Sequence, residues 1–334
     1  MDRARLRPLG ATSLQVSDIG LGLAALGRPG YINVGHGDDL GGDRSRSAME
    51  HRAHQVLDAA YASGVRYFDA ARSYGLAEAF LASWLLSRDV QQGDVVVGSK
   101  WGYTYTADWQ VDAPVHEIKD HSVSTFSRQL AESRAILGGH LAVYQIHSAT
   151  LDSGVLDDAA VIDALARARE GGLRIGLSVS GARQADTIWR ALEVQRDGER
   201  VFDTVQATWN LLERGAESAL SAASDAGLGV IVKEALANGR LSDRSVRSDA
   251  SSAQAPLARE AEELGVSADA IAIACALAKP WASVVLSGAT TVPQLESNLR
   301  ARQVEITLAT TERLASLAVD SASYWRERSA LPWN

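Results

Sequence analysis

Short apolar runs rich in Val, Ile, Tyr and Phe alternate along this chain with segments of helical period, and that alternation commits it to an α/β architecture with parallel strands. Counting 19–23 as the first, the runs continue with those ending at Asp69, Lys100 and His147, then with 174–179, 204–208, 229–233 and 283–287. Between them, segments 122–137, 157–170, 216–226 and 292–302 are amphipathic, and Ser267 followed by Asp269 reads as the N-cap of a helix ending before Pro280. Eight strand–helix units predict a single (β/α)8 TIM barrel, a fold of roughly 250 residues before insertions. The Ser/Arg/Asp-rich stretches 35–47 and 240–255 fit as long rim loops between adjacent units, so the whole of 1–334 reads as one domain.

Three of the runs close on an ionisable side chain: Asp69 in Phe68-Asp69-Ala70-Ala71-Arg72-Ser73-Tyr74-Gly75, Lys100 after Val95-Val96-Val97-Gly98-Ser99, and His147 after Val143-Tyr144-Gln145-Ile146. The C-terminal ends of barrel strands share one rim, so these three converge there, and Tyr74 joins them from the following loop. The residue types describe proton transfer. A phenol has an ordinary pKa of about 10 and needs a neighbouring cation to act as an acid at neutral pH. Lys100 supplies that charge, Asp69 holds the ammonium in place, and a neutral His147 orients a substrate oxygen by hydrogen bonding. Protonating an oxygen as charge develops on it is what carbonyl reduction requires once a hydride reaches the carbon. None of the four residues carries a hydride, so a nicotinamide cofactor is expected.

The segment 67–85, with Asp69, Tyr74, Gly75 and Glu78, resembles the "fDTA-x-x-YG-x-x-E" pattern of the aldo-keto reductase superfamily, and Lys100 and His147 fall where that family keeps its lysine and histidine. Arg7-Pro8-Leu9-Gly10 through Gly20-Leu21-Gly22 resembles its N-terminal hairpin and first strand. Leu286-Ser287-Gly288-Ala289 through Gln294 and Asn298 resembles its eighth strand and the helix gripping the adenosine end of the cofactor. The resemblance covers nearly the whole chain and implies a catalytic tetrad of Asp69, Tyr74, Lys100 and His147. It implies a carbonyl–alcohol oxidoreductase using NADP(H), with cofactor contacts from Gly22, Ser178, Gln206, Gly288, Ala289, Thr290, Gln294 and Asn298.

Several positions depart from the family pattern. The usual Ser-Asn pair after the fifth strand is Ser178-Val179, so the asparagine is missing, while Gln206 matches the glutamine that completes the nicotinamide clamp. The aromatic residue stacked on the nicotinamide is replaced by Lys233, which either forms an ion pair with Glu234 at the strand end or contacts cofactor or substrate directly; Trp209 is the alternative stacking ring. No Arg or Lys stands among Gly288, Thr290, Thr291 and Gln294, so a 2′-phosphate must be met by Arg240, Arg244 or Arg247, or by Arg300 or Arg302. NADP(H) is favoured and NAD(H) remains open. Trp101, Tyr103, Tyr105 and Trp109 crowd the stretch after Lys100, and Trp101 and Tyr103 are read as walls of the substrate pocket. A small carbonyl compound or a sugar is the expected substrate. Two further readings stand beside reduction: a sugar 1-dehydrogenase working mainly in oxidation, and a nucleotide-binding regulatory subunit akin to the reductase-like beta subunits of potassium channels.

Composition narrows the classes. A net charge of −8 argues against nucleic-acid or anionic-membrane partners, which are bound by clustered cations. No run approaches the roughly 20 apolar residues of a membrane span and residues 1–6 offer no apolar signal core, so a cytoplasmic location is expected. Cys275, the single cysteine, lies in the apolar run 270–277 and reads as core packing. Gly35-His36-Gly37-Asp38-Asp39 matches no metal-ligand spacing and reads as solvated loop, so no metal is expected. Gly20-x-Gly22 has Ala25 where a dinucleotide fingerprint needs its third glycine, which excludes a Rossmann reading.

Overall fold

The computed structural model describes residues 6–248 and 253–334; positions 1–5 and 249–252, the latter within the 240–255 rim loop, lie outside the described residues. Eight parallel strands close into a barrel: β1 Ile19–Gly22, β2 Tyr67–Asp69, β3 Val96–Trp101, β4 Leu141–Ala149, β5 Arg174–Val179, β6 Thr204–Thr208, β7 Gly229–Lys233 and β8 Val284–Ser287. Each pairs with its successor, and β8 returns to β1 with Val285 opposite Ile19, so the barrel has no free edge. The crossovers between successive strands carry α1 Arg46–Ala62, α2 Ala77–Ser87, α3 Val123–Leu137, α4 Ala159–Glu170, α5 Gln184–Glu193, α6 Glu217–Asp225 and α7 Ala268–Leu277, and α8 Val292–Leu299 follows β8. Among the described residues no helix is long and apolar enough to cross a membrane.

Helix starts follow side-chain chemistry. Ser45, Ser122, Asp158, Ser267 and Thr291 each accept a hydrogen bond from a backbone N–H of the first turn, at Ala48, Thr125, Ala160 and Val161, Ala270 and Gln294 respectively. Each such cap contributes about 1 kcal/mol. Cys275 is buried in α7, and burial pushes its thiol up to about 12.

Strand alternation separates two cores. Outward residues such as Phe68, Val97, Trp101, Tyr144, Leu177, Val205 and Val232 pack against the helices. Inward, Tyr67, Val96, Val143, Ile231, Val284 and Leu286 fill the lower barrel, sealed by Leu9 and Val16 of a hairpin pairing Arg7–Pro8 with Gln15–Val16. One step further up each strand the inward side chains turn polar: Asp69, Lys100, Gln145, Ser178, Gln206 and Lys233. The barrel is therefore apolar at its base and charged at the rim where the strands end.

Gly98 marks the transition between these layers. A Cβ there meets the Tyr67 hydroxyl at 2.5 Å, inside any normal contact distance. Gly98→Ala is expected to destabilise the fold by about 1–3 kcal/mol through overpacking, and adding Tyr67→Phe should recover most of that loss. Urea denaturation of the two variants checks it; a double variant no more stable than the single one removes the hydroxyl as the cause.

Candidate active site

Asp69 ends β2, Lys100 stands one residue before the end of β3, and His147 lies near the end of β4, so the barrel brings all three to one rim. Tyr74 arrives from the loop after β2. That loop is tied to its surroundings by the backbone: Arg72 N–H donates to Lys100 O at 3.0 Å, and Leu76 N–H donates to Gly27 O at 2.7 Å. Beyond His147, Ser148 adopts a left-handed φ of 51°, the β4–β5 register shifts between Ile146 and Ala149, and the Ser148 N–H donates to Ser178 Oγ at 2.8 Å. Strain of this kind clusters at functional sites, and here it ends regular pairing just past the histidine.

Lys100 and Asp69 form a buried ion pair. Their side chains are 0% and 3% exposed, and Nζ donates to Asp69 Oδ2 and, at 3.0 Å, to Ala70 O. The other carboxylate oxygen accepts from Gln206 Nε2 at 2.9 Å. Gln206 thus reaches the tetrad from across the barrel as well as lining the cavity above it.

The Lys100 ammonium lies 5.0 Å from the Tyr74 ring centroid, and the Tyr74 and His147 rings meet edge to face at 5.4 Å. Burial raises the Tyr74 phenol well above its usual range, Asp69 adds to the rise, and Arg28 opposes it. Burial, followed by the charges of Lys100, Arg28 and Lys233, drives His147 well below the ordinary histidine range, so the imidazole is neutral at pH 7. Its Nδ1 stands 3.3 Å from Ser73 Oγ. With that hydroxyl donating, Nε2 carries the ring proton.

Above the four residues opens a cavity of about 840 Å3. Asp69, Tyr74, Tyr103 and His147 line one part of it, with Gly22, Ser178, Gln206 and Lys233; Gly288, Ala289, Thr290, Gln294 and Asn298 line another. Thr290 donates through both N–H and Oγ1 to Gln294 Oε1, at 2.9 and 3.1 Å. The Asn298 amide, oriented to donate to Asp269, accepts from Ser287 Oγ. Thr291 is occupied as the cap of α8.

Some expected residues sit elsewhere. Trp101 is fully buried on the outer barrel face, edge-on to Phe126 at 5.0 Å, and forms no cavity wall. Trp209 is equally buried and donates to Glu217, so it stacks on nothing in the cavity. Both follow an inward residue, Lys100 and Thr208, and therefore point outward. Tyr105 and Trp109 line a separate hollow with Arg46 and Gly75. Arg302 pairs with Asp18 below β1, and Arg240 with Glu327; neither lines the cavity, nor does Arg300. The side chain of Arg247 lies outside the described residues. Of the five arginines considered for a phosphate, Arg244 alone among those described lines the cavity, paired with Asp39 at 2.5 Å.

Lys233 donates to Thr208 Oγ1 at 2.8 Å and lies 3.9 Å from Glu234, whose closer partner is Arg328. Burial brings the ammonium down to about 8. Glu234, despite burial, is held at about 2 by Arg328 and Lys233. Sequence reasoning missed Arg28, Tyr31, Asp39, Glu117, Trp325 and Trp333, all on the cavity wall. Arg28 is set in Gly27-Arg28-Pro29-Gly30, where turn formers hide any functional signal.

A family model described as "Aldo/keto reductase family" matches residues 19–318. Over 326 residues the chain is 28% identical to the uncharacterized oxidoreductase YrpG of Bacillus subtilis (strain 168), covering 90% of this chain and 91% of that protein. A shorter stretch of 92 residues is 34% identical to aldo-keto reductase str7 of Strobilurus tenacellus, 27% of this chain and 24% of that one. The solved structure of aldo-keto reductase AKR11C1 from Bacillus halodurans (holo form) shares the fold, with a TM-score of 0.68 at 19% identity over 95% of this chain and 97% of the other. A closed eight-stranded barrel with a polar C-terminal rim, matched from the start of β1 to beyond α8, identifies the chain as an oxidoreductase belonging to the aldo/keto reductase family.

Proposed function

We propose that this chain interconverts a small carbonyl compound, or a sugar, and the corresponding alcohol by hydride transfer with a nicotinamide dinucleotide, NADP(H) in preference to NAD(H), with Tyr74 as proton donor in reduction and acceptor in oxidation. The observation that carries this reading is the Tyr74 phenol on the cavity wall between a buried Asp69–Lys100 pair and a neutral His147. A long ligand fits: the cavity lies within the range of about 300–1,000 Å3 typical of organic ligands, and two of its walls, at Gly22 and Gly288, are bare backbone. Ser178, Gln206 and Lys233 are the residues for the nicotinamide end, and Thr290, Gln294, Asn298 and Arg244 for the adenosine end. The dinucleotide supplies the hydride that the protein lacks.

The protein's own part is proton transfer and orientation. Tyr74 Oη gives its proton to the substrate oxygen as negative charge builds there. Lys100 steadies the phenolate left behind, and Asp69 keeps the ammonium charged. His147, neutral and donating from Nε2, aligns the same oxygen. Tyr103, its ring 5.0 Å from that of His147, forms the adjoining wall.

Tyr74→Phe is expected to lower carbonyl reduction by roughly 10² to 10⁴-fold, the usual contribution of general acid catalysis, while the dissociation constant for NADPH, read by fluorescence titration, changes little. Wild-type-like turnover in the Phe variant excludes Tyr74 as the acid.

Lys100→Met and Asp69→Asn should each reduce the rate, the lysine change more, and the two should not multiply in the double variant, because each mainly leaves the other's buried charge unmatched. Removing one partner of a buried pair costs about 3–5 kcal/mol, so thermal unfolding should show the same sub-additivity. Rates in the double variant equal to the product of the two single losses contradict the pairing.

At the adenosine end, Arg244 has to leave Asp39 to meet a 2′-phosphate, which limits discrimination. The NADPH to NADH ratio of kcat/KM should stay below ~10³, because a charge-assisted contact contributes about 1.5–3 kcal/mol before that competition. Arg244→Ala should reduce the ratio by about tenfold or more and Asp39→Asn should raise it. Steady-state kinetics with both cofactors decides; a ratio indifferent to Arg244 removes it from the phosphate site.

A further inference from the structure

Arg28 is a second cation at the Tyr74 ring, in addition to Lys100. Its guanidinium is 4% exposed and lies over three rings, with Cζ 5.4 Å from the Tyr74 centroid, 5.1 Å from Tyr31 and 4.8 Å from Trp333. Nη1 donates to Ser73 O at 3.1 Å and to Glu117 Oε2 at 3.2 Å, while Nε is buried without a partner. Ser73 precedes Tyr74 and approaches His147, so a single arginine contacts the backbone between the phenol and the imidazole.

We propose that the Arg28–Glu117 pair is a positioning device that adjusts the proton affinity of Tyr74, Arg28 acting as a second cation on the phenol in addition to Lys100 and Glu117 as its partial counterweight. This rests on the reading of Tyr74 as acid and base. The Asp69–Lys100 pair is closed on itself, and Asp69 makes the phenol harder to ionise, which offsets part of what Lys100 contributes. Arg28 is compensated less completely. Glu117 belongs to the antiparallel strand Glu117–Lys119, is 27% exposed, and acts on Tyr74 less strongly than Arg28 does. The other charged or titratable groups facing Tyr74 are Asp69, Lys100 and His147 from β2 to β4, Lys233 and Glu234 at the end of β7, and Tyr31 from the loop after β1. Among these cations, Lys100 is paired with Asp69, and Lys233 is brought down to about 8 by burial and lies 3.9 Å from Glu234.

The two members of the pair must then act with opposite signs. At an effective dielectric near 20, a unit charge about 6 Å away shifts a pKa by one to two units. Oxidation of 4-nitrobenzyl alcohol with saturating NADP+, followed from about pH 5 to 11, reads the rising limb of kcat/KM, whose position on the pH axis follows the phenol acting as base even though its titration ends above that window. Glu117→Gln is expected to move that limb down by about one unit and Arg28→Gln to move it up by about as much, with a slower rate at pH 7. Arg28→Lys should hold the wild-type limb although its fork is lost. A merely structural pair predicts the same direction for both neutral variants, and that result, or failure of the lysine variant to restore the limb, overturns the proposal. His147 gives a reading independent of turnover: its imidazole NMR titration should move toward 6.5 in Arg28→Gln and not in Arg28→Lys, and equal midpoints in both count against Arg28. Tyr74→Phe separates the two layers, because an active Phe variant removes the underlying assignment, whereas an inactive one combined with like-signed Arg28 and Glu117 effects removes only this inference.

Discussion

Two opposite charges with almost no solvent, Asp69 and Lys100, constrain everything around them. Moving such ions out of water costs several kcal/mol each unless their remaining hydrogen-bonding capacity is met. Ala70 O takes a second Lys100 proton, and Gln206 donates to the second Asp69 oxygen from β6, far around the barrel. That arrangement needs a closed barrel, since no open sheet brings β6 over β2. It also needs space at Gly98, because a side chain there collides with Tyr67 directly beneath the pair. The polar rim is therefore a consequence of closure as much as of the residues placed on it.

Much of this was legible in the sequence because barrel strands end abruptly. Strands 174–179, 204–208 and 229–233 fall at Arg174–Val179, Thr204–Thr208 and Gly229–Lys233, and Ser267 caps α7 as its position suggested. Asp69, Lys100, Tyr74 and His147 come together because each lies at, just before or just beyond the C-terminal end of a strand, although β3 and β4 run one and two residues past the ends read from the sequence. Trp101 and Trp209 were misassigned although the signal was present: strict alternation from Lys100 and Thr208 turns both rings outward. An aromatic-rich stretch is a weaker guide than the parity of its strand.

The rest was hidden by chain distance. Arg28 and Glu117 are 89 positions apart, and Arg244 and Asp39 205. Neither pairing has a local signature. The rim loops meet by such contacts: Val34 N–H donates to Asn238 O at 3.0 Å, and Asn334 exchanges backbone hydrogen bonds with Tyr31. Trp333 lies against Tyr31 and is stacked on His116 at 3.7 Å. The cavity wall is thus assembled from four distant stretches, while its floor comes from strand ends. A family model reads the floor well, and the wall is where members differ in what they accept.

Charge distribution over that cavity follows one rule at several places. Cations are held near anions but not fully neutralised: Arg28 by Glu117, Arg244 by Asp39, Lys233 by a Glu234 that is bound more closely to Arg328. In the proposed reaction this arrangement of charges serves the carbonyl oxygen and the phosphates of the dinucleotide. It also keeps His147 neutral, since protonating it adds a further cation beside Lys100, Arg28 and Lys233. A neutral imidazole can donate to an oxygen without competing for the proton that Tyr74 is proposed to transfer. On the proposed reading, the surrounding arginines and lysines divide labour between two neighbouring rings, holding one as a fixed donor and leaving the other to exchange its proton.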